Sequence, residues 1–299
     1  MRYLKAVKGE TRLYGQSEYR VWMGIMSKAI DVGKVGVGAK RPLVLIAGPC
    51  VIESREGCLE IAGKLSRLAK AQKISLIFKA SYDKANRSSL RSYRGPGLER
   101  GLEILAEVKA RYGIPVLTDV HTAEEAARAA TVVDIIQIPA FLCRQTDLVV
   151  AAGETGIPVN VKKAQFMAPG DMRNVIQKIE STGNKKIILT ERGVSFGYNN
   201  LVADMRSLLV MREFGYPVIF DATHSVQRPG GAGDRTGGDG CWAPALARAA
   251  VATGCDGVFI ETHVKPEEAL SDRDNTIAFS AMGQLWRTLR KIDDVVRLA

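Results

Sequence analysis

Two lysines, an asparagine, an arginine and a pair of serines follow one another between Lys79 and Ser89. Lys79 stands where the apolar run Ser75 to Phe78 stops, and a lysine there is costly to bury unless it meets an anion. Arg87 beside Ser88 offers a planar fork of donors plus a hydroxyl, a suitable clamp for a phosphate. Taken alone, this stretch reads equally well as a solvated loop. The rest of the chain decides the matter, because Lys162, Lys163 and Arg192 also follow apolar runs, and Arg144 adds a further cation. So many positive groups imply a substrate with several negative charges, for which two phosphates and a carboxylate would fit.

A second set has different chemistry. Cys50, His224, Glu261 and Asp272 supply a thiol, an imidazole and two carboxylates, the donor types of a divalent metal site. Each has a plainer reading by itself: His224 as a hydrogen-bonded loop histidine, Cys50 as a small buried residue. Only a shared location turns them into ligands. Mixed S, N and O donors suit zinc, iron or manganese and do not choose among them. His121 and His263, also near ends of apolar runs, read as ordinary loop histidines.

The elements that must position these residues are regular from Arg41 onward. Short apolar runs at Pro42–Ala47, Ser75–Phe78, Pro115–Asp119, Asp134–Pro139, Pro158–Lys162, Lys186–Glu191, Pro217–Asp221 and Gly257–Glu261 read as strands. Helical spacing follows each: Ser54 to about Leu68, Gly97–Tyr112, Ala123–Ala130, Gln145–Ala152, Asp171–Ile179, Leu201–Phe214, Ala243–Thr253 and Phe279–Leu298. Near-continuous apolar strands are buried on both faces and therefore parallel. Eight such units predict a (β/α)8 barrel. The alternative, an open doubly wound sheet, would want a GxGxxG turn after its first strand, and none is there.

In a barrel, function collects at the carboxyl ends of the strands. Reading those ends in order gives Cys50, Lys79, Asp119, Gln137, Lys162, Glu191 with Arg192, His224 and Glu261, a polar group at every one. Closure makes the last two strands neighbours of the first, which brings His224, Glu261 and Cys50 together, with Asp272 in the loop beyond. The glycine-rich segments Pro229–Gly233 and Gly237–Gly240 read as a loop able to cover the mouth. Ahead of the barrel, Ala29–Gly33 and Val35–Gly38 suggest a short hairpin with glycine turns. Residues 1–28, without clean period or caps, read as an extension preceding one catalytic domain over residues 29–299.

Composition narrows the function classes. Hydrophobic residues make up 46% and charged residues 25% of the 299, a globular mix. No apolar run is long enough for a membrane span and no signal-peptide pattern opens the chain. The five cysteines show no CxxC spacing, which fits reduced thiols in a cytoplasm. The net charge of +10 comes partly from Met1–Arg41, with nine Lys/Arg against three Asp/Glu, and elsewhere is dispersed. A nucleic-acid footprint would be more clustered, so phosphorylated metabolites are the expected partners.

Several motifs carry a resemblance. Ala47-Gly48-Pro49-Cys50, Lys84-Ala85-Asn86-Arg87-Ser88-Ser89 and Asp134 to Leu148 closely resemble the 3-deoxy-D-manno-octulosonate 8-phosphate synthase family. So do Asn160-Val161-Lys162-Lys163, Arg192-Gly193, Phe196 to Asn200 and Asp221-Ala222-Thr223-His224-Ser225. The likeness runs from about Ala29 to the last helix. It implies condensation of phosphoenolpyruvate with D-arabinose 5-phosphate, toward the acid sugar of lipopolysaccharide, in a homo-oligomer that is commonly a tetramer. Carried over residue by residue, it implies that Arg87 and Ser88 grip the arabinose phosphate and Asn86 its hydroxyls. Lys162, Arg192 and the backbone at Ala140 would hold the phosphoenolpyruvate phosphate, with Lys84 and Gln137 on its carboxylate. Lys79 and Asp119 would line the reacting centre. Cys50 matches the metal-dependent members, where metal-independent ones carry asparagine. The chain departs from the pattern at Asp272-Arg273-Asp274-Asn275, which is more charged than usual after the ligand aspartate. A sister enzyme using erythrose 4-phosphate shares the barrel but carries an Arg-Thr-Ser-Pro type run in place of Lys84–Ser89.

Overall fold

The computed structural model describes residues 27–87, 89–231 and 236–298. A turn at Gly33-Lys34 joins β1 (Ile30–Val32) to β2 (Val35–Val37), antiparallel with Ile30 opposite Val37. Gly33 sits at a φ of +57°, open to a residue without a side chain. The barrel follows as β3 (Val44–Gly48), α1 (Arg55–Gln72), β4 (Ser75–Lys79), α2 (Leu98–Tyr112), β5 (Val116–Asp119), α3 (Ala123–Ala129) and β6 (Ile135–Ile138). It continues with α4 (Thr146–Glu154), β7 (Val159–Lys162), α5 (Met172–Glu180), β8 (Ile187–Glu191), a small hairpin of β9 (Val194–Ser195) and β10 (Leu201–Val202), and α6 (Arg206–Arg212). Last come β11 (Val218–Asp221), the pair β12 (Gln227–Arg228) and β13 (Gly237–Gly238), α7 (Ala243–Thr253), β14 (Gly257–His263), β15 (Ile277–Ala278) and α8 (Phe279–Leu298).

Strands β3 to β8, then β11 and β14, pair in parallel, and β14 pairs back onto β3 with Glu261 beside Gly48. The eight strands therefore close into a (β/α)8 barrel, as the alternation predicts. Local chemistry sets the element ends. Ser54 caps α1 by accepting from the Gly57 N–H at 3.0 Å. Pro115, Pro158 and Pro217 stand just before their strands, where the missing N–H is not needed, and their carbonyls accept from the neighbouring strand. Helix α6 is shorter than the spacing suggests. Leu201 and Val202 are taken up by pairing with β9, and the helix begins only after Asp204, whose side chain accepts from the Arg206 N–H at 3.0 Å.

Side chains alternate across each strand, so the chain builds two cores. Leu45, Leu76, Phe78, Val161 and Leu189 point out against the helices. Val44, Ile46, Ile77, Leu117, Ile135, Ile188, Ile219 and Phe259 point into the barrel. β1 and β2 close the bottom of that inner core, with Ile30, Val32 and Val37 buried against it. Two residues further along most strands the interior turns polar: Lys79, Asp119, Gln137, Thr190, Asp221 and Glu261, all buried. Phe259 marks the boundary, with the Lys162 ammonium 3.9 Å from its ring centroid. Among the described residues no helix is long and apolar enough to cross a membrane.

Two tests follow from this layering. Val37→Ala is expected to lower stability by about 1–3 kcal/mol through lost packing while leaving steady-state constants unchanged, since it lies at the closed end; chemical denaturation and kinetics measure both. Lys79 and Glu261 pair at 2.9 Å, each about 1% exposed. Lys79→Met should cost roughly 3–5 kcal/mol by stranding the carboxylate, and adding Glu261→Gln should recover part of the loss in urea unfolding.

Candidate active site

The polar layer opens into a cavity of about 540 Å³ at the carboxyl ends of the strands. On one side β3, β14 and the loops after β11 and β14 converge. The oxygen and sulfur ligand atoms of Cys50, Glu261 and Asp272 all lie within 4.8 Å of one another. His224 joins them, its Nε2 3.4 Å from Glu261 Oε1 and 3.7 Å from Asp272 Oδ2. Ligands about 2.0–2.3 Å from a tetrahedral ion stand roughly 3.3–3.8 Å apart, a range that the two His224 separations fall in. The donor chemistry fits as well. Glu261 Oε2 is buried with no hydrogen-bond partner among the described residues, while Oε1 accepts from Lys79. Asp272 takes a left-handed φ of +50° and still reaches Cys50, whose Sγ is 3.3 Å from Oδ2, so the charged Arg273-Asp274 sequence does not divert it. Three of the four sequence-predicted ligands, Cys50, Glu261 and Asp272, thus form one candidate cluster, and His224 stands beside its two carboxylates.

Asp221 prepares the histidine. Its Oδ2 lies 2.7 Å from His224 Nδ1, and Oδ1 accepts from the His224 backbone N–H at 2.9 Å. A proton held on Nδ1 leaves the Nε2 lone pair for a ligand. The same Oδ2 accepts from Lys162 at 2.5 Å. Burial opposes its ionisation, yet His224 and Lys162 together hold the carboxyl far below the usual range. Glu261 behaves likewise: burial is outweighed by His224 and the lysines Lys79 and Lys84, which draw it down to about 2. Burial, reinforced by Asp272 and Glu261, pushes the Cys50 thiol well up.

Cations form the other walls. Lys84 Nζ stands 3.8 Å from Asp119 Oδ2, and Ser81 donates to Asp119 Oδ1 at 2.5 Å. Burial would raise the Asp119 carboxyl, but Lys84 and Lys79 outweigh it and keep it ionised. Lys162 and Arg192 are both lowered by burial, which Asp221 offsets only in part. They are buried cations short of negative charge. Arg192 spends Nη2 on Gln227 and leaves Nη1 buried without a partner among the described residues. Arg87 is braced by Nε donating to the Tyr93 carbonyl at 3.0 Å, and its Nη2 likewise has no partner among the described residues. Each guanidinium thus holds a buried donor in reserve on the cavity wall.

The structure brings Lys84, Asn86, Arg87, Asp119, Gln137, Ala140, Lys162, Arg192, His224 and Asp272 to the same cavity. Ser88 lies outside the described residues. Arg144 does not line this cavity: a 3-10 turn at Ala140–Leu142 and the start of α4 carry it outward, beside Lys178 and a smaller separate hollow. Lys163 points away too, donating to the Ala164 and Met167 carbonyls with Glu191 at 3.5 Å. His121, read as an ordinary loop residue, stands closer to the site than expected, with Nε2 3.9 Å from Asp119 and Nδ1 3.1 Å from Glu125. The His263 ring contacts the Lys265 carbonyl and stands 3.9 Å from Glu53. Sequence reasoning missed Asp221, Gln227 and Asn160. Asp221 ends an apolar strand three residues before His224, a spacing that could have flagged it.

A family model described as the DAHP synthetase I family matches residues 21–297. The chain is 57% identical over 272 residues to the 2-dehydro-3-deoxyphosphooctonate aldolase of Geobacter sulfurreducens. It is 58% identical over 272 residues to the proteins of the same name from Trichlorobacter lovleyi and Pelobacter propionicus. Each alignment covers 91% of this chain and 100% of the relative. With the barrel, the closing ligand set and the cationic walls in place, likeness of this extent over the whole barrel places the chain in the DAHP synthetase I family, among the 3-deoxy-D-manno-octulosonate 8-phosphate synthases, or 2-dehydro-3-deoxyphosphooctonate aldolases.

Proposed function

We propose that this chain condenses phosphoenolpyruvate with D-arabinose 5-phosphate and water, giving 3-deoxy-D-manno-octulosonate 8-phosphate and inorganic phosphate for lipopolysaccharide synthesis. The observation that carries the reading is a pair of guanidinium donors, Arg87 Nη2 and Arg192 Nη1, on the wall of one cavity and without a partner among the described residues. They are two phosphate anchors for two phosphorylated substrates. The shared name of the relatives supports it.

In this reading Arg87 and Ser88 hold the sugar phosphate and Asn86 its hydroxyls. Lys162, Arg192 and the Ala140 backbone hold the enol phosphate, while Lys84 and Gln137 face the carboxylate. Carbon 3 of the enol bonds to the aldehyde carbon, water adds at carbon 2, and the phosphate leaves from that carbon. The two substrates repel each other, and fixed cations between them supply the attraction that water would otherwise screen. Lys79, fixed by Glu261 and the Cys50 carbonyl at 2.7 Å, and Asp119 flank the reacting centre. A divalent zinc, iron or manganese ion held by Cys50, His224, Glu261 and Asp272 would act as a Lewis acid that orients the aldehyde or the attacking water. Four buried thiols support a cytoplasmic enzyme, and the exposed aromatics Phe141, Phe166, Phe196 and Tyr198 support a homo-oligomer, tetrameric by resemblance.

Phosphate release from phosphoenolpyruvate plus arabinose 5-phosphate tests the reading. Turnover that a chelator abolishes and added metal restores is the expected result; turnover with erythrose 4-phosphate alone would overturn it. Chelator-resistant turnover would keep the synthase and remove the metal. Asp221→Asn should weaken metal affinity roughly 10- to 100-fold by releasing the His224 tautomer, measured by competition with a chromophoric chelator.

A further inference from the structure

We infer that Thr190 and Asn160 are positioning residues which fix the Gln137 amide so that it presents N–H, and not C=O, to the phosphoenolpyruvate carboxylate. The inference rests on the proposed function, which puts that carboxylate against Gln137. The three residues occupy adjacent strands β8, β7 and β6, with Asn160 in register beside Gln137. Thr190 Oγ donates to Asn160 Oδ1 at 2.7 Å, and Asn160 Nδ2 donates to Gln137 Oε1 at 3.0 Å. Thr190 and Asn160 are fully buried, whereas Gln137 also lines the cavity. With its carbonyl occupied from behind, Gln137 has its Nε2 left over for the cavity side.

The opposite polarity is available in principle, since both amides can turn over. It would make Gln137 donate to Asn160 and Asn160 donate to Thr190. The Thr190 hydroxyl hydrogen would then need another acceptor, and among the described residues its only side-chain hydrogen bond is the one to Asn160. A buried hydroxyl without an acceptor is costly, so the threonine end sets the direction. The reversed chain would also aim a carbonyl oxygen at an anion. One hydroxyl two strands away thereby chooses between attraction and repulsion at the substrate. Neither Thr190 nor Asn160 touches the ligand in this arrangement.

Thr190→Val keeps the shape and removes the donor; Thr190→Ser keeps the donor. Steady-state kinetics for both substrates and calorimetric binding of phosphoenolpyruvate distinguish the outcomes. Thr190→Val should raise KM and Kd for phosphoenolpyruvate roughly tenfold, about one charge-assisted hydrogen bond, with kcat and the arabinose 5-phosphate KM unchanged. Thr190→Ser should restore the parent values. Unchanged phosphoenolpyruvate binding in Thr190→Val would overturn the relay, as would equal losses for both substrates with a lowered Tm. Gln137→Met binding phosphoenolpyruvate as tightly as the parent would overturn the contact itself. If the parent fails to turn these substrates over, the functional reading falls, and the binding comparison still decides the relay.

Discussion

Everything at the mouth depends on keeping opposite charges together inside a barrel that water has left. Lys79–Glu261 and Lys162–Asp221 are buried pairs, and each member alone would be a large liability in that interior. Pairing them ties β4 to β14 and β7 to β11, strands that are not all neighbours in the ring. The pairs therefore hold the polar layer in register while the apolar layers beneath supply the packing. Their arithmetic is incomplete. Asp221 serves both Lys162 and His224, and among the described residues Arg192 has no carboxylate within ion-pair distance, so positive charge is left over on the cavity wall.

That surplus and the ligand cluster are two expressions of one arrangement. Asp221 stands between them, giving one oxygen to the lysine of the cationic wall and to the imidazole of the ligand group. A change on either side is felt by the other through a shared carboxylate. Glu261 repeats the pattern, with one oxygen near both Lys79 and His224 and the other without a partner among the described residues. Cationic wall and ligand cluster are thus one network of buried groups.

Much of this was legible in the residues because of one regularity. Apolar runs that stop abruptly show where a strand meets the mouth, and the residue at the stop is the one that faces the site; Lys79, Asp119 and Glu261 follow it, while Gln137 stands inside its run, ahead of Ile138 and Pro139. Residues inside a run were harder. Asn160 and Thr190 look like tolerated polar positions in a strand, and only the third dimension shows their side chains joined in line. Arg144 differs for the reverse reason: it lies within the Asp134–Leu148 motif, but the turn at Ala140–Leu142 carries it to a separate hollow. The hairpin was legible as a hairpin, while its place under the barrel was not, since nothing local in Ile30–Val37 names its partners. The start of α6 escaped because Leu201 and Val202 suit a helix and a strand alike.

The closed bottom has a consequence for traffic. With Ile30, Val32 and Val37 sealing one end, the barrel is a cul-de-sac, and whatever binds against buried Lys162 and Arg192 must share its exit with whatever binds near the exposed Asn86. A small anion against Lys162 and Arg192 and a larger molecule above it would use one doorway. The architecture thus gives the site one sealed end and one open end.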